Sequence, residues 1–193
     1  MKKLLILLFA ISLLAACSDD GEATENSGEE NDDTTEETES ETNNSEEEET
    51  KKVYQIGETA VITSDLYEFD YEVTVNDFQL TREVDGTKIE DYLSGAREED
   101  RFAVVDVTIK NISDQTYVPN QMFSANFTEM GVEGGDTSND EFFTVGDEEL
   151  APDEELNGHL VYLTDINYAD TFVLKYEMTA DEETLFELPN PEK

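Results

Sequence analysis

Between residues 18 and 50 the chain is built from Glu, Asp, Thr, Ser, Asn and Gly with a single Ala, and it contains no aromatic residue, Lys or Arg. Such a stretch cannot bury enough apolar surface to offset the entropy lost on ordering its backbone, so folding is confined to the residues beyond position 50. Sixteen of the 50 acidic residues fall in this segment. Their mutual repulsion extends a coil whose neutral equivalent would span roughly 30 to 35 Å, toward a contour limit of about 110 Å. The segment reads as a disordered acidic tether, a spacer rather than a cation-binding tail.

The remaining 143 residues, 51–193, carry 34 acids against nine bases, a net charge of −25, and nearly all of the Tyr, Phe, Val and Ile. That length is one domain with one core. A field of this sign repels DNA, RNA and anionic lipid, which excludes nucleic-acid binding as a function. It also destabilises the compact state unless salt screens it, which suits salty or alkaline surroundings.

The only cysteine, Cys17, closes the run Leu14-Ala15-Ala16-Cys17 after an apolar stretch that starts behind Lys2 and Lys3. The apolar run is too short to span a bilayer, which takes about 20 residues, and has the layout of a secretory signal. Small residues before a cysteine add what a lipoprotein signal peptidase needs. Cleavage is expected between Ala16 and Cys17, with the Cys17 thiol carrying a diacylglycerol. Two or three acyl chains exceed the marginal grip of one, each buried CH₂ contributing about 0.8 kcal/mol. The expected organisation is a signal peptide over 1–16, the lipidated cysteine and tether over 17–52, and a folded domain over 53–193. No second cysteine exists to form an intramolecular disulfide.

Inside the domain, apolar residues recur every second position and no helical stripe of useful length appears. In residues 101–111, Ala103, Val105, Val107 and Ile109 share one face, while Asp106, Thr108 and Lys110 share the other. This predicts a central antiparallel strand, half solvated. Phe69, Tyr71, Val73 and Val75 share a phase, but Phe78 and Leu80 fall in the opposite one, which predicts a bulge near Asn76 and Asp77. Further strands are expected over 59–63, 122–128, 141–145 and 185–188. Leu160 and Tyr162 after Gly158, and Phe172, Leu174, Tyr176 and Met178, form two more in-phase sets. Turn-forming residues fill 111–115, 131–140 and 151–154. Residues 85–100 are the longest polar insertion, with a helical turn expected over 90–93. Several short strands at this spacing predict an all-β, two-layer antiparallel sandwich.

The run FAVVDVTIKNISDQTYV, then MFSANFTEMG, ELAPDEELNGHLVYL and TFVLKYE, resembles the telokin-like, immunoprotective-extracellular immunoglobulin-like domain of Gram-positive bacterial lipoproteins, a domain of unknown function. The likeness covers residues 54–188. It rests on a strand ending in Lys110 and Asn111, a polar turn, an aromatic at Phe123, and a Leu-x-Pro turn leading to Gly158. The resemblance implies an immunoglobulin-like β-sandwich on a surface lipoprotein and supplies no catalytic residues. Where that family commonly has Gly after the turn proline, this chain has Asp153 after Pro152.

Residues able to carry chemistry are sparse. His159 is the only histidine, and a zinc or Ser-His site on it would need partners the sequence does not place. The chain has no phosphate-cradling glycine loop, nucleophile elbow or paired cysteines, so no enzyme is expected. Asp136, Ser138, Asp140 and Glu141 offer oxygens at calcium-like spacing, without the loop glycine and terminal glutamate of a standard calcium loop. Asn111-Ile112-Ser113 and Asn126-Phe127-Thr128 match glycosylation sequons and read as ordinary strand and turn residues. The expected function is a non-enzymatic binding domain held by its lipid on the outer face of the cell membrane. It would meet an envelope protein, a wall polymer or a small ligand through sheet edges and loops. The alternative is a calcium-responsive or solute-binding lipoprotein. An exposed patch of Tyr117, Phe142 and Phe143 would favour the first, converging oxygens over 136–141 the second, and His159 beside an acid in a cleft an enzyme.

Overall fold

The computed structural model describes residues 53–64, 66–122, 125–177 and 183–193. The signal, Ala16, Cys17 and the tether lie outside them, as do Phe123 and Met178. Among the described residues, eleven strands form two main sheets and a small hairpin. One sheet has the order β2 (Thr59–Ser64), β3 (Phe69–Thr81), β6 (Asp100–Asn111) and β9 (Glu155–Asp165). The other has the order β1 (Val53–Gln55), β11 (Thr184–Pro189), β10 (Thr171–Tyr176), β7 (Ala125–Glu129) and β8 (Asp136–Thr137). All pairings are antiparallel except β1 with β11. The sheets pack face to face, with Phe127 of β7 stacked on Tyr162 of β9 at 4.9 Å between ring centroids and Phe78 of β3 against Phe172 of β10 at 5.8 Å.

The inward phase follows the apolar alternation. Ala103, Val105, Val107 and Ile109 of β6, and Phe172, Leu174 and Tyr176 of β10, are all buried in this shared core. The register of β3 against β6 shifts between Val75 and Asp77. That bulge returns Phe78 and Leu80 to the inner face, as the phase change demands.

Four expectations need correction. Residues 141–145 are not a strand: Asp140–Phe142 and Thr144–Asp147 are 3-10 turns, because Phe142 and Phe143 are drawn into different clusters and the backbone satisfies itself locally, Phe143 N–H to Asp140 C=O and Gly146 N–H to Phe143 C=O. The strand expected over 122–128 begins at Ala125, since Pro119 at a first helical position starts the turn α2 (Pro119–Met122). The loop over 131–140 contains the short strand β8. Finally, β6 is not simply half solvated. The insertion folds as the hairpin β4 (Glu83–Val84) and β5 (Thr87–Lys88) followed by α1 (Ile89–Tyr92), close to the helical turn expected. It supplies Val84 and Ile89 to a second core with Phe102 and Val104 of the outer β6 face and Val161 of β9.

Candidate functional site

Residues 138–154 cross from β8 in one sheet to β9 in the other, and their first part, 138–147, carries the two 3-10 turns. Phe143 is its anchor. A Cβ placed on Gly146 or Gly158 would come within 2.5 Å of the Phe143 ring, so the two glycines form the seat that this ring fills. Asn120 of α2 braces the same segment, its amide donating to Phe143 C=O and to Asp147 Oδ1 at 3.1 Å each. On the β9 edge, the Val161 N–H donates to Ser138 Oγ at 3.1 Å, while the Asn139 backbone and side-chain N–H groups donate to Val161 C=O.

Beside the Phe143 ring the two sheets part to leave a cleft of about 300 Å³. Ile109, Leu160 and Ala125 contribute apolar wall, while Asn120, Thr137, Ser138 and Asp140 contribute amide, hydroxyl and carboxylate groups. Apolar and polar groups share the lining about equally, which gives a ligand both apolar wall and hydrogen-bonding partners.

The residues singled out for calcium divide between different roles. Asp136 pairs with Phe127 across β7 and β8, Ser138 accepts from Val161, Asp140 faces the cleft, and Glu141 is exposed on the 3-10 turn. Among the described residues, no group of three or more His, Cys, Asp or Glu side chains is placed to hold a metal ion. The aromatic patch is absent as well. Tyr117 and Phe143 are only 3% exposed and Phe142 packs on Tyr92 and Phe102. Asn111 is fully buried, its amide donating to Gln115 C=O and Leu150 C=O, which makes it a structural strand end. Asn126 is likewise buried in β7.

His159 does stand beside acids, on the outer face of β9 rather than in the cleft. Its Nε2 lies 2.9 Å from Asp85 Oδ2 at the tip of the β4–β5 hairpin, whose Asp85 and Gly86 both have positive φ, the signature of a tight hairpin turn. Asp106 is opposite His159 in register and Asp77 is opposite Asp106. Burial raises the Asp106 carboxyl above its ordinary value, His159 pulls it down and Asp77 pushes it up. The His159–Asp85 contact fastens the insertion to the sheet. Sequence spacing could not show it, because 74 residues separate its two partners. The cleft was equally hidden, although its Thr137–Asp140 wall belongs to the acidic loop that the spacing singled out.

Crystal structures similar to the domain include a "putative lipoprotein (ycdA)" of Bacillus subtilis, at 17% identity and TM-score 0.46, covering 67% of this chain and 38% of that one, so the chain spans well under half of that lipoprotein's length. A conserved hypothetical protein of Bacillus anthracis matches at 16% identity and TM-score 0.43, covering 66% of this chain and 96% of that one. The secreted protein MPT63 of Mycobacterium tuberculosis matches at 12% identity and TM-score 0.42, covering 71% and 95% respectively. No curated protein sequence matches the chain. The family model described as a domain of unknown function, DUF4352, matches residues 54–184, from β1 to the first residue of β11 and well over half of the chain, and the chain therefore belongs to that family.

Proposed function

We propose that this chain is a membrane-anchored lipoprotein of a Gram-positive cell envelope that presents a non-enzymatic β-sandwich binding domain outside the cell. The observation that carries the reading is Cys17 behind Leu14-Ala15-Ala16, after a Lys2-Lys3 start and a short apolar run. The acidic segment over 18–50 then serves to hold the domain clear of the headgroups. The chain order of the strands supports the immunoglobulin-like, telokin-like reading: β1, β11, β10, β7 and β8 face β2, β3, β6 and β9, and the chain changes sheet between β1 and β2, β6 and β7, β8 and β9, and β9 and β10. The cleft beside Phe143 supports a holding role, since its groups can orient a ligand against apolar wall.

Fractionation of cells carrying Cys17→Ser tests the anchor. The substituted chain is expected in the medium or as an unprocessed precursor, while the parent stays with the membrane. A membrane-bound parent that yields a peptide running through Ala16 and Cys17 would refute it.

A further inference from the structure

Sheet edges offer rows of backbone N–H and C=O groups, and folded proteins protect them by shortness, cover or charge. Three of the four edges here are protected. β1 and β8 are three and two residues long. β9 carries Glu155, His159 and Asp165, and Ser138 and Asn139 clamp it at Val161. The fourth edge, β2, is treated differently. It runs for six residues, TAVITS, with no charge, proline or glycine, in a chain whose residues are 32% charged. Among the described residues, its one strand neighbour is β3. Val61 at its centre is 58% exposed, and Ile56, Leu66 and Tyr67 are exposed just before and after it.

Around this neutral strand the surface is acidic. Glu58 precedes it and exposed Glu68 and Asp70 come after it, while Glu72, opposite Val61 in β3, is already paired with Lys110 of β6 at 3.9 Å, so Glu58, Glu68 and Asp70 form the rim. We propose that the β2 edge is a strand-addition site for an extended segment of another protein, uncharged where it pairs and basic at its flanks. Main-chain hydrogen bonds from alternate residues of β2 would supply affinity, Val61 an apolar contact, and the acidic rim the selection of basic flanks. A second copy of this chain is the disfavoured occupant, because pairing two β2 edges would press two acidic rims together on domains of net charge −25 each. The inference rests on the binding reading above and names a partner class for it.

The test uses the full chain carrying Cys17→Ser, with hydrogen exchange read along β2. The probes are two peptides with the same core of about six alternating Thr and Val residues, one flanked by lysines and one by glutamates. The lysine-flanked peptide should slow exchange at β2 by roughly fivefold or more. The glutamate-flanked peptide should not. Protection should vanish in Val61→Lys, which puts a like charge on the edge, and persist in Met130→Lys, a charge on an exposed apolar site elsewhere. The idea is overturned by protection of β2 in the free monomer, by no protection from either peptide, or by equal protection from both. It is also overturned by a dimer protected at β2 in about 1 M salt, which would make the second copy the occupant. Because exchange is read on the chain recovered from the medium or, as the precursor, in a mild non-ionic detergent, these outcomes are independent of membrane attachment, and the anchor can stand or fall separately.

Discussion

The two faces of β6 differ in how they acquire a core. The inner face, Ala103, Val105, Val107 and Ile109, meets the opposite sheet along its whole length and is buried throughout. The outer face changes character midway. Phe102 and Val104 lie under the insertion with Val84, Ile89 and Val161, whereas Asp106, Thr108 and Lys110 remain on a partly solvated polar surface. The polar half is bonded across the sheet, Asn76 donating to Thr108 Oγ1 at 2.9 Å and Thr108 donating to Asn157 Oδ1 at 2.6 Å. One strand thus serves a core shared by two sheets, a local core made with an insertion, and a hydrogen-bonded surface. Loss of the first should unfold the domain, while loss of the second should free only the part that it covers.

Val107→Asp gives the largest expected effect. Val107 is fully buried between the sheets, and an unpaired charge there costs several kcal/mol against a total stability of about 5 to 15. Circular dichroism and exchange should report an unfolded chain. Unchanged melting would mean that the inner phase of β6 is misassigned. Phe102→Ala should come next, costing about 3 to 5 kcal/mol, since the ring is fully buried and packs on Tyr92 and Phe142. Its signature is local: exchange should quicken in α1 and the β4–β5 hairpin while β3 and β9 stay protected. Uniform loss of protection would show that the two cores form one cooperative unit.

The same contrast explains what could be read from the amino-acid pattern. Alternation exposed the inner residues of β6 and β10, and the phase change at Asn76 and Asp77 exposed the bulge, because a strand with one buried face writes its register into every second residue. The second core escaped that logic. Val84, Ile89, Tyr92 and Leu93 are spread through a mostly polar insertion, and their value depends on Phe102 and Val104, which share the outer phase of β6 with Asp106, Thr108 and Lys110. Phe142 and Phe143 suggested a strand because adjacent residues on opposite faces look the same as adjacent residues in two clusters. Gly158 held the missing signal: a glycine inside a strand marks a close approach, and here the approach is the Phe143 ring. Partners of the cleft come from α2, β6, β7, β8, β9 and β10, so no local spacing could assemble them.

Charge should act more weakly and on the outer surface. Spreading 34 acids apart on unfolding relieves repulsion, so melting temperature should rise by a few degrees, about 1 kcal/mol, between low and molar sodium chloride. Acid should also help at first. Burial first, and then Asp77, raise the Asp106 carboxyl in the folded state, outweighing His159, so the folded state binds its proton more readily and lowering the pH toward the raised value stabilises it. Asp100 has the opposite sign. Hydrogen bonds from the Arg97 side chain and backbone hold its carboxyl below the ordinary value, so its contribution is present above the unfolded carboxylate range and is lost as pH falls through the folded value. Melts should therefore show a stability maximum below neutral pH and a decline in stronger acid. In Asp106→Asn the rise on mild acidification should shrink, and an unaltered rise would assign it to other carboxylates.

The smallest effect is expected where β6 ends. Asn111 closes the strand, its N–H donating to Glu154 C=O at 3.0 Å and its C=O accepting from Asp153 N–H at 2.9 Å. Those bonds require the turn over 151–154, in which Pro152 precedes Asp153 and the Glu154 N–H donates to Ala151 C=O. Asp153 has φ +65°, the left-handed region that glycine enters freely and that Asp tolerates better than most residues. The departure from glycine thus leaves the turn geometry in place. Asp153→Gly should change stability by no more than about 0.5 kcal/mol, because relief of the left-handed strain is offset by the greater freedom of glycine in the unfolded chain. Asp153→Ala should cost about 1 kcal/mol, since alanine keeps the Cβ that disfavours this region and lacks a polar group to bond locally. Melting temperature should rank parent and glycine above alanine. Equal melting of all three would show that the bonds to Asn111, rather than the positive φ, set the stability of this end of the strand.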